Sequence, residues 1–143
     1  MSARRHADYL VEIFTPEKIV DAFKMAIPTS YSKNKGIVYV GTGLSGTAAL
    51  FILKAAGLIE RLAIVRKGCT SHSSFHVECS HDFDHYTCRW IFIDDMIDTG
   101  DTFKRVLDRF SGKRFVGALM YHAYPTWRSP GNEKLKRFLE EVS

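Results

Sequence analysis

Residues 91–102 read Ile91-Phe92-Ile93-Asp94-Asp95-Met96-Ile97-Asp98-Thr99-Gly100-Asp101-Thr102. An apolar run with the β-branched and aromatic content of a buried strand ends in two adjacent carboxylates. A Thr-Gly-Asp-Thr turn then opens a segment in which Phe103, Val106, Leu107 and Phe110 share one helical face. A helix start exposes unpaired N–H groups and the positive end of its dipole, and together these bind phosphate. The threonine hydroxyls add donors, and Gly100 permits the close approach or positive φ that such a cradle needs. Acids just ahead of the cradle suit sugar hydroxyls or a magnesium ion, since both want hard oxygen acceptors. The bland alternative is an acidic strand end followed by an ordinary capped helix.

The rest of the chain repeats the strand and helix alternation. Upstream, Thr15-Pro16-Glu17 reads as a helix start, with Ile19, Val20, Phe23 and Ile27 at helical spacing. Residues 36–40 (Gly-Ile-Val-Tyr-Val) read as a strand, Gly41 to Gly46 as a glycine-rich turn, and Thr47 to Ala56 as a helix stopped by Gly57. Leu62 to Val65 is a second strand, and residues 67–88 read as a long polar loop, a length usually reserved for function. Trp90 to Ile93 is the third strand, Phe115 to Tyr121 the fourth, and Leu135, Phe138, Leu139 and Val142 mark a last amphipathic helix. This order predicts an α/β fold with a parallel sheet and flanking helices, whose ligands bind beyond the carboxyl ends of the strands.

Composition sets the outer bounds. The chain has 143 residues, 45% hydrophobic and 25% charged, which predicts one globular domain over 1–143 with its own core. Twenty bases against sixteen acids leave a net charge of +4, enough to suit an anionic ligand but too little to imply nucleic acid. No apolar run reaches membrane-spanning length, and the first residues lack the apolar core of a signal peptide. Three cysteines cannot all pair internally, which suits a reducing compartment, so a cytoplasmic location is expected.

Residues 91–102 resemble the phosphoribosyl pyrophosphate (PRPP) signature of the type I phosphoribosyltransferases: hydrophobic residues, two acids, two hydrophobics, then an acid and Thr-Gly-x-Thr. The resemblance implies the phosphoribosyltransferase fold with a small hood, and transfer of 5-phosphoribose from PRPP to a nucleobase with Mg²⁺. It implies that Asp94 and Asp95 hold the ribose hydroxyls, directly or through water and Mg²⁺, and that Thr99, Gly100, Asp101 and Thr102 wrap the 5′-phosphate. Asp98 matches the aspartate that 6-oxopurine members aim at N7 of the base as proton acceptor, which favours a purine; aspartate is equally a favoured helix N-cap. The family also implies a possible homodimer. A non-catalytic PRPP- or nucleotide-binding regulator on the same fold is the alternative.

Gly41-Thr42-Gly43-Leu44-Ser45-Gly46 also satisfies the G-x-G-x-x-G dinucleotide fingerprint, but that motif expects an acid about 20 residues on, where this chain has Arg66 and Lys67. In the phosphoribosyltransferase reading the turn is similar to the pyrophosphate loop, with backbone N–H groups of Thr42 and Gly43 meeting the leaving group. Arg66-Lys67 resembles a basic pair found in orotate and adenine enzymes and would supply charge; it also suits a solvated strand end. Cys69, His72, His76, Cys79, His81, His85 and Cys88 crowd the excursion where the family keeps its closing loop, with a structural zinc site as the alternative. His122, Tyr124 and Trp127 follow the fourth strand and suit a base pocket, with packing as the alternative, above all for Tyr121.

Overall fold

The structure is a computed structural model that describes residues 15–32, 34, 36–66, 77–79, 89–96, 101–109, 114–122 and 126–127. Helix α1 (Pro16–Ala26) starts where Thr15-Pro16 predicts, with the Thr15 carbonyl accepting from the N–H groups of Lys18 and Ile19. Strand β1 (Ile37–Thr42) leads into α2 (Gly43–Ala55), and β2 (Arg61–Val65) follows. Helix α2 stops at Gly57, whose φ of 74° allows the paired bonds Gly57 N–H to Lys54 O and Leu58 N–H to Leu53 O. Next come β3 (Val77–Cys79), β4 (Arg89–Asp94), α3 (Asp101–Arg109), β5 (Arg114–Met120) and β6 (Thr126–Trp127).

The strands form one sheet in the order β3-β2-β1-β4-β5-β6. The inner four are parallel, and both outer strands pair antiparallel to their neighbours. The fold is therefore α/β with a parallel core and helices on both faces. Every residue of β1 is buried, as the unbroken apolar run of a doubly covered parallel strand requires. Its side chains alternate between two cores. Ile37 and Tyr39 join Ile91, Ile93 and Leu119 beneath α1 and α2, while Val38 and Val40 join Trp90, Phe92 and Ala118 beneath α3. On the α3 side, Phe103 packs its ring 4.9 Å from Phe92 and 5.4 Å from Phe115.

Three expectations change. The Gly41 to Gly46 segment is not a loop: Gly41 and Thr42 complete β1, and Gly43 to Gly46 form the first turn of α2. The long polar stretch contains a strand, β3, held by three register pairs to β2. Trp127 lies in a strand, β6, paired antiparallel to β5, where the sequence predicts none. Both missed strands are sheet edges of two or three residues, too short to show a period and defined by their partners' hydrogen bonds. The last amphipathic helix and the small hood fall outside the described residues.

Candidate functional site

The chain leaves β1 on one side to reach β2, then returns past β1 to place β4 on its other side. This reversal of strand order makes a crevice at the carboxyl ends of β1 and β4, where ligands of open α/β sheets bind. Thr42 ends β1 and Asp94 ends β4, so the sequence that singled out the acid pair also puts it at this crevice.

Two glycines set how α2 meets the ends of β1 and β4. A Cβ on Gly46 would lie 3.1 Å from the Ile93 carbonyl oxygen and 3.3 Å from the Gly41 Cα, so the first turn of α2 rests directly on the ends of β1 and β4. Gly43 turns the chain from strand into helix with a φ of 67°. The close approach brings Ser45 to the acids: its hydroxyl lies 3.3 Å from Asp94 Oδ1 and 3.4 Å from Asp95 Oδ1 and donates toward both. The Asp95 N–H donates to Asp94 Oδ1 at 2.9 Å. Asp94 is buried and Asp95 half-buried. Burial foremost, then the hydrogen bond and charge of Asp95, push the Asp94 carboxyl up to about 7, against the donors Asp95 N–H and Ser45.

The β4–β5 ladder continues past the end of β5, with Tyr121 N–H donating to Asp94 O and His122 N–H to Asp95 O. His122 thus stands half-buried beside Asp95. Tyr121 is core: it is buried, and its hydroxyl donates to the Ser45 carbonyl at 3.0 Å. Thr42 is also buried, and its hydroxyl donates to the Val65 carbonyl at 2.6 Å, tying the ends of β1 and β2 together one residue before Arg66. Thr42 therefore turns its side chain to structure, while Gly43 opens the N-terminus of α2. Asp101 opens α3, with Thr102 half-buried behind it.

Asp98, Thr99, Gly100, Lys67 and Tyr124 lie outside the described residues, as does all of the cysteine and histidine excursion apart from Val77–Cys79. Among the described residues no group of three or more His, Cys, Asp or Glu side chains could hold a metal, and no helix is long and apolar enough to cross a membrane. Sequence reasoning missed Ser45 and the Tyr121 tether. The signal for Ser45 was present: a hydroxyl in the first helical turn after a buried strand, between glycines that force close packing.

No family model and no curated protein matches the chain. Among solved structures it is similar to a hypoxanthine phosphoribosyltransferase from Staphylococcus aureus in two crystal forms. For the tetragonal form the identity is 16% and the TM-score 0.49, over 73% of this chain and 62% of that one. For the orthorhombic form the identity is 24% and the TM-score 0.48, over 83% of this chain and 70% of that one. The chain thus spans less than two thirds of the length of the tetragonal-form neighbour.

Proposed function

We propose that the chain is a phosphoribosyltransferase that moves 5-phosphoribose from PRPP to a nitrogenous base, a purine foremost, releasing pyrophosphate and a nucleoside 5′-monophosphate. The observation that carries this reading is the convergence of Asp94 and Asp95 on one hydroxyl in the crevice between β1 and β4, just ahead of the segment that leads into α3. In this reading the acids take the ribose hydroxyls, Thr99 to Thr102 take the 5′-phosphate, and Asp98 accepts the proton of the base. The N–H groups at the start of α2, from Gly43 onward, and Arg66 with Lys67 face the pyrophosphate. His122, with Tyr124 and Trp127, borders the base.

Two carboxylates whose Oδ1 atoms lie within 3.4 Å of one hydroxyl form a hard-oxygen donor set. Such a set fits Mg²⁺, which takes one or two carboxylates and completes its shell with water and substrate oxygens. Held by Asp94 and Asp95, it would supply charge neutralisation for the departing pyrophosphate. Anchoring the sugar at the acids and the phosphate at the turn leaves the anomeric carbon open to attack. The test is incubation with PRPP, Mg²⁺ and a panel of purine and pyrimidine bases, followed by detection of pyrophosphate and nucleotide. Product from at least one base supports the transferase, and its absence with all of them removes it.

One observation favours a second reading, a PRPP- or nucleotide-binding regulator on the same site. The junction of β1 and α2 is a tight strand-to-helix joint, and no residue from Gly41 to Gly46 carries a positive charge. A sensor needs the cradle but not the handling of a leaving group. Binding of PRPP without product formation in the same assay selects this reading.

A further inference from the structure

We propose that Ser45 is a positioning residue that sets the two carboxylates for a sugar and so lets the crevice tell a ribose phosphate from bare phosphate; this rests on the sugar-phosphate reading above. Neighbouring residues along a strand project to opposite faces, so an acid pair at a strand end does not converge on its own. Here the strand ends at Asp94, the chain bends at Asp95, and both Oδ1 atoms are drawn to the single Ser45 hydroxyl, 3.3 and 3.4 Å away. Two carboxylates this close repel each other, and a shared donor offsets that repulsion while fixing where both point.

The hydroxyl can do this because Ser45 is itself held. Its backbone sits in the turn that Gly46 presses against the Ile93 carbonyl and Gly41, and its carbonyl accepts from the Tyr121 hydroxyl at 3.0 Å. Three elements that are far apart in sequence, the ends of β4 and β5 and the start of α2, thus meet at one residue. The consequence is selective. Carboxylates repel an approaching phosphate, and only a ligand that brings hydroxyl donors to them recovers that cost. Loss of the Ser45 hydroxyl should therefore weaken recognition of the sugar and leave the phosphate cradle as it was.

The experiment titrates ribose 5-phosphate and inorganic phosphate, in buffer with Mg²⁺, into the wild-type protein, Ser45→Ala, Ser45→Thr and Tyr121→Phe, with melting curves to verify folding. The expected result is a loss of about tenfold in affinity for ribose 5-phosphate in Ser45→Ala, the size of one hydrogen bond to a charged group. Inorganic phosphate should bind unchanged, Ser45→Thr should restore the sugar affinity, and Tyr121→Phe should show a smaller loss in the same direction. Ser45→Ala binding ribose 5-phosphate as the wild type does, or losing both ligands alike, overturns the positioning role. Wild-type protein that fails to prefer ribose 5-phosphate over inorganic phosphate overturns the sugar-phosphate reading itself, and the proposal with it.

Discussion

Gly41 and Gly46 touch backbone to backbone: a Cβ built on Gly41 would lie 3.0 Å from both the carbonyl carbon and the oxygen of Gly46, and 2.9 Å from Leu50 Cδ1. The leucine methyl can turn aside, but the Gly46 backbone belongs to the helix that carries Ser45. Gly41→Ala should therefore lift α2 from the end of β1, costing about 1–3 kcal/mol as other overpacked sites do. It should also weaken binding of ribose 5-phosphate, because the lift separates Ser45 from the acids. Gly57→Ala is the control. It meets no atom within 4 Å, so its cost is the strain of a positive φ alone, about 1 kcal/mol, with binding unchanged. Urea unfolding and calorimetric titration of the two variants separate these effects.

Buried Asp94 predicts an inverted pH dependence of stability. Asp94 is held near 7 in the folded chain against 3.8 for an ordinary aspartate. Below about 4 the carboxyl is protonated in both folded and unfolded chains. Between there and 7 the folded chain keeps a proton that the unfolded chain gives up, so stability falls as pH rises and levels off above 7. Most carboxylates in folded proteins act the other way. Asp94→Asn should flatten this segment of the curve and melt above the wild type at pH about 8, while losing affinity for the sugar phosphate. Melting temperature measured from pH 4 to 8 in ligand-free protein checks it, and an unaltered slope in the variant would exclude Asp94 as its source.

Phe103 ties α3, whose start is proposed to hold the 5′-phosphate, to the core. It is 1% exposed, and its ring lies within 6.4 Å of Trp90, Phe92 and Phe115, so it anchors α3 to β4 and β5. Phe103→Ala should cost about 3–5 kcal/mol, a large share of the stability of a chain this size. Because α3 begins at Asp101, binding of inorganic phosphate should weaken along with stability. Phe103→Leu, which refills most of the volume, should recover most of both.

The four inner strands and the start of α1 were legible because a parallel sheet covered on both faces leaves continuous apolar runs, and because Thr15-Pro16 and Gly57 mark helix ends by local backbone chemistry. The acid pair was legible for a related reason: Asp94 and Asp95 interrupt such a run at its carboxyl end. The edge strands Val77–Cys79 and Thr126–Trp127 were not, since their hydrogen bonds depend on β2 and β5 rather than on their own side chains. Ser45 was invisible as part of the site because its partners Asp94 and Asp95 stand 49 and 50 positions away, brought near only by two packed glycines. The fold role of the Thr42 hydroxyl was equally out of view: at the end of a buried strand it donates to the Val65 carbonyl, 23 positions away.

Asp98 offers the sharpest division between catalysis and binding. It lies three residues past Asp95 and just before Thr99-Gly100-Asp101-Thr102 in the sequence, and in the proposed function it is the group that takes the proton of the base. A carboxylate accepts the proton that the base sheds as its nitrogen bonds to the anomeric carbon; an amide of the same shape does not. Asp98→Asn should therefore lower kcat on a purine by about 10²–10⁴-fold, the usual span for a lost general base, while KM for PRPP and its binding change little. If Asp98 served only as a helix N-cap, asparagine, an equally good cap, would leave kcat untouched. Steady-state rates with the best base of the panel, set beside calorimetric PRPP affinities for the same two proteins, decide between these roles.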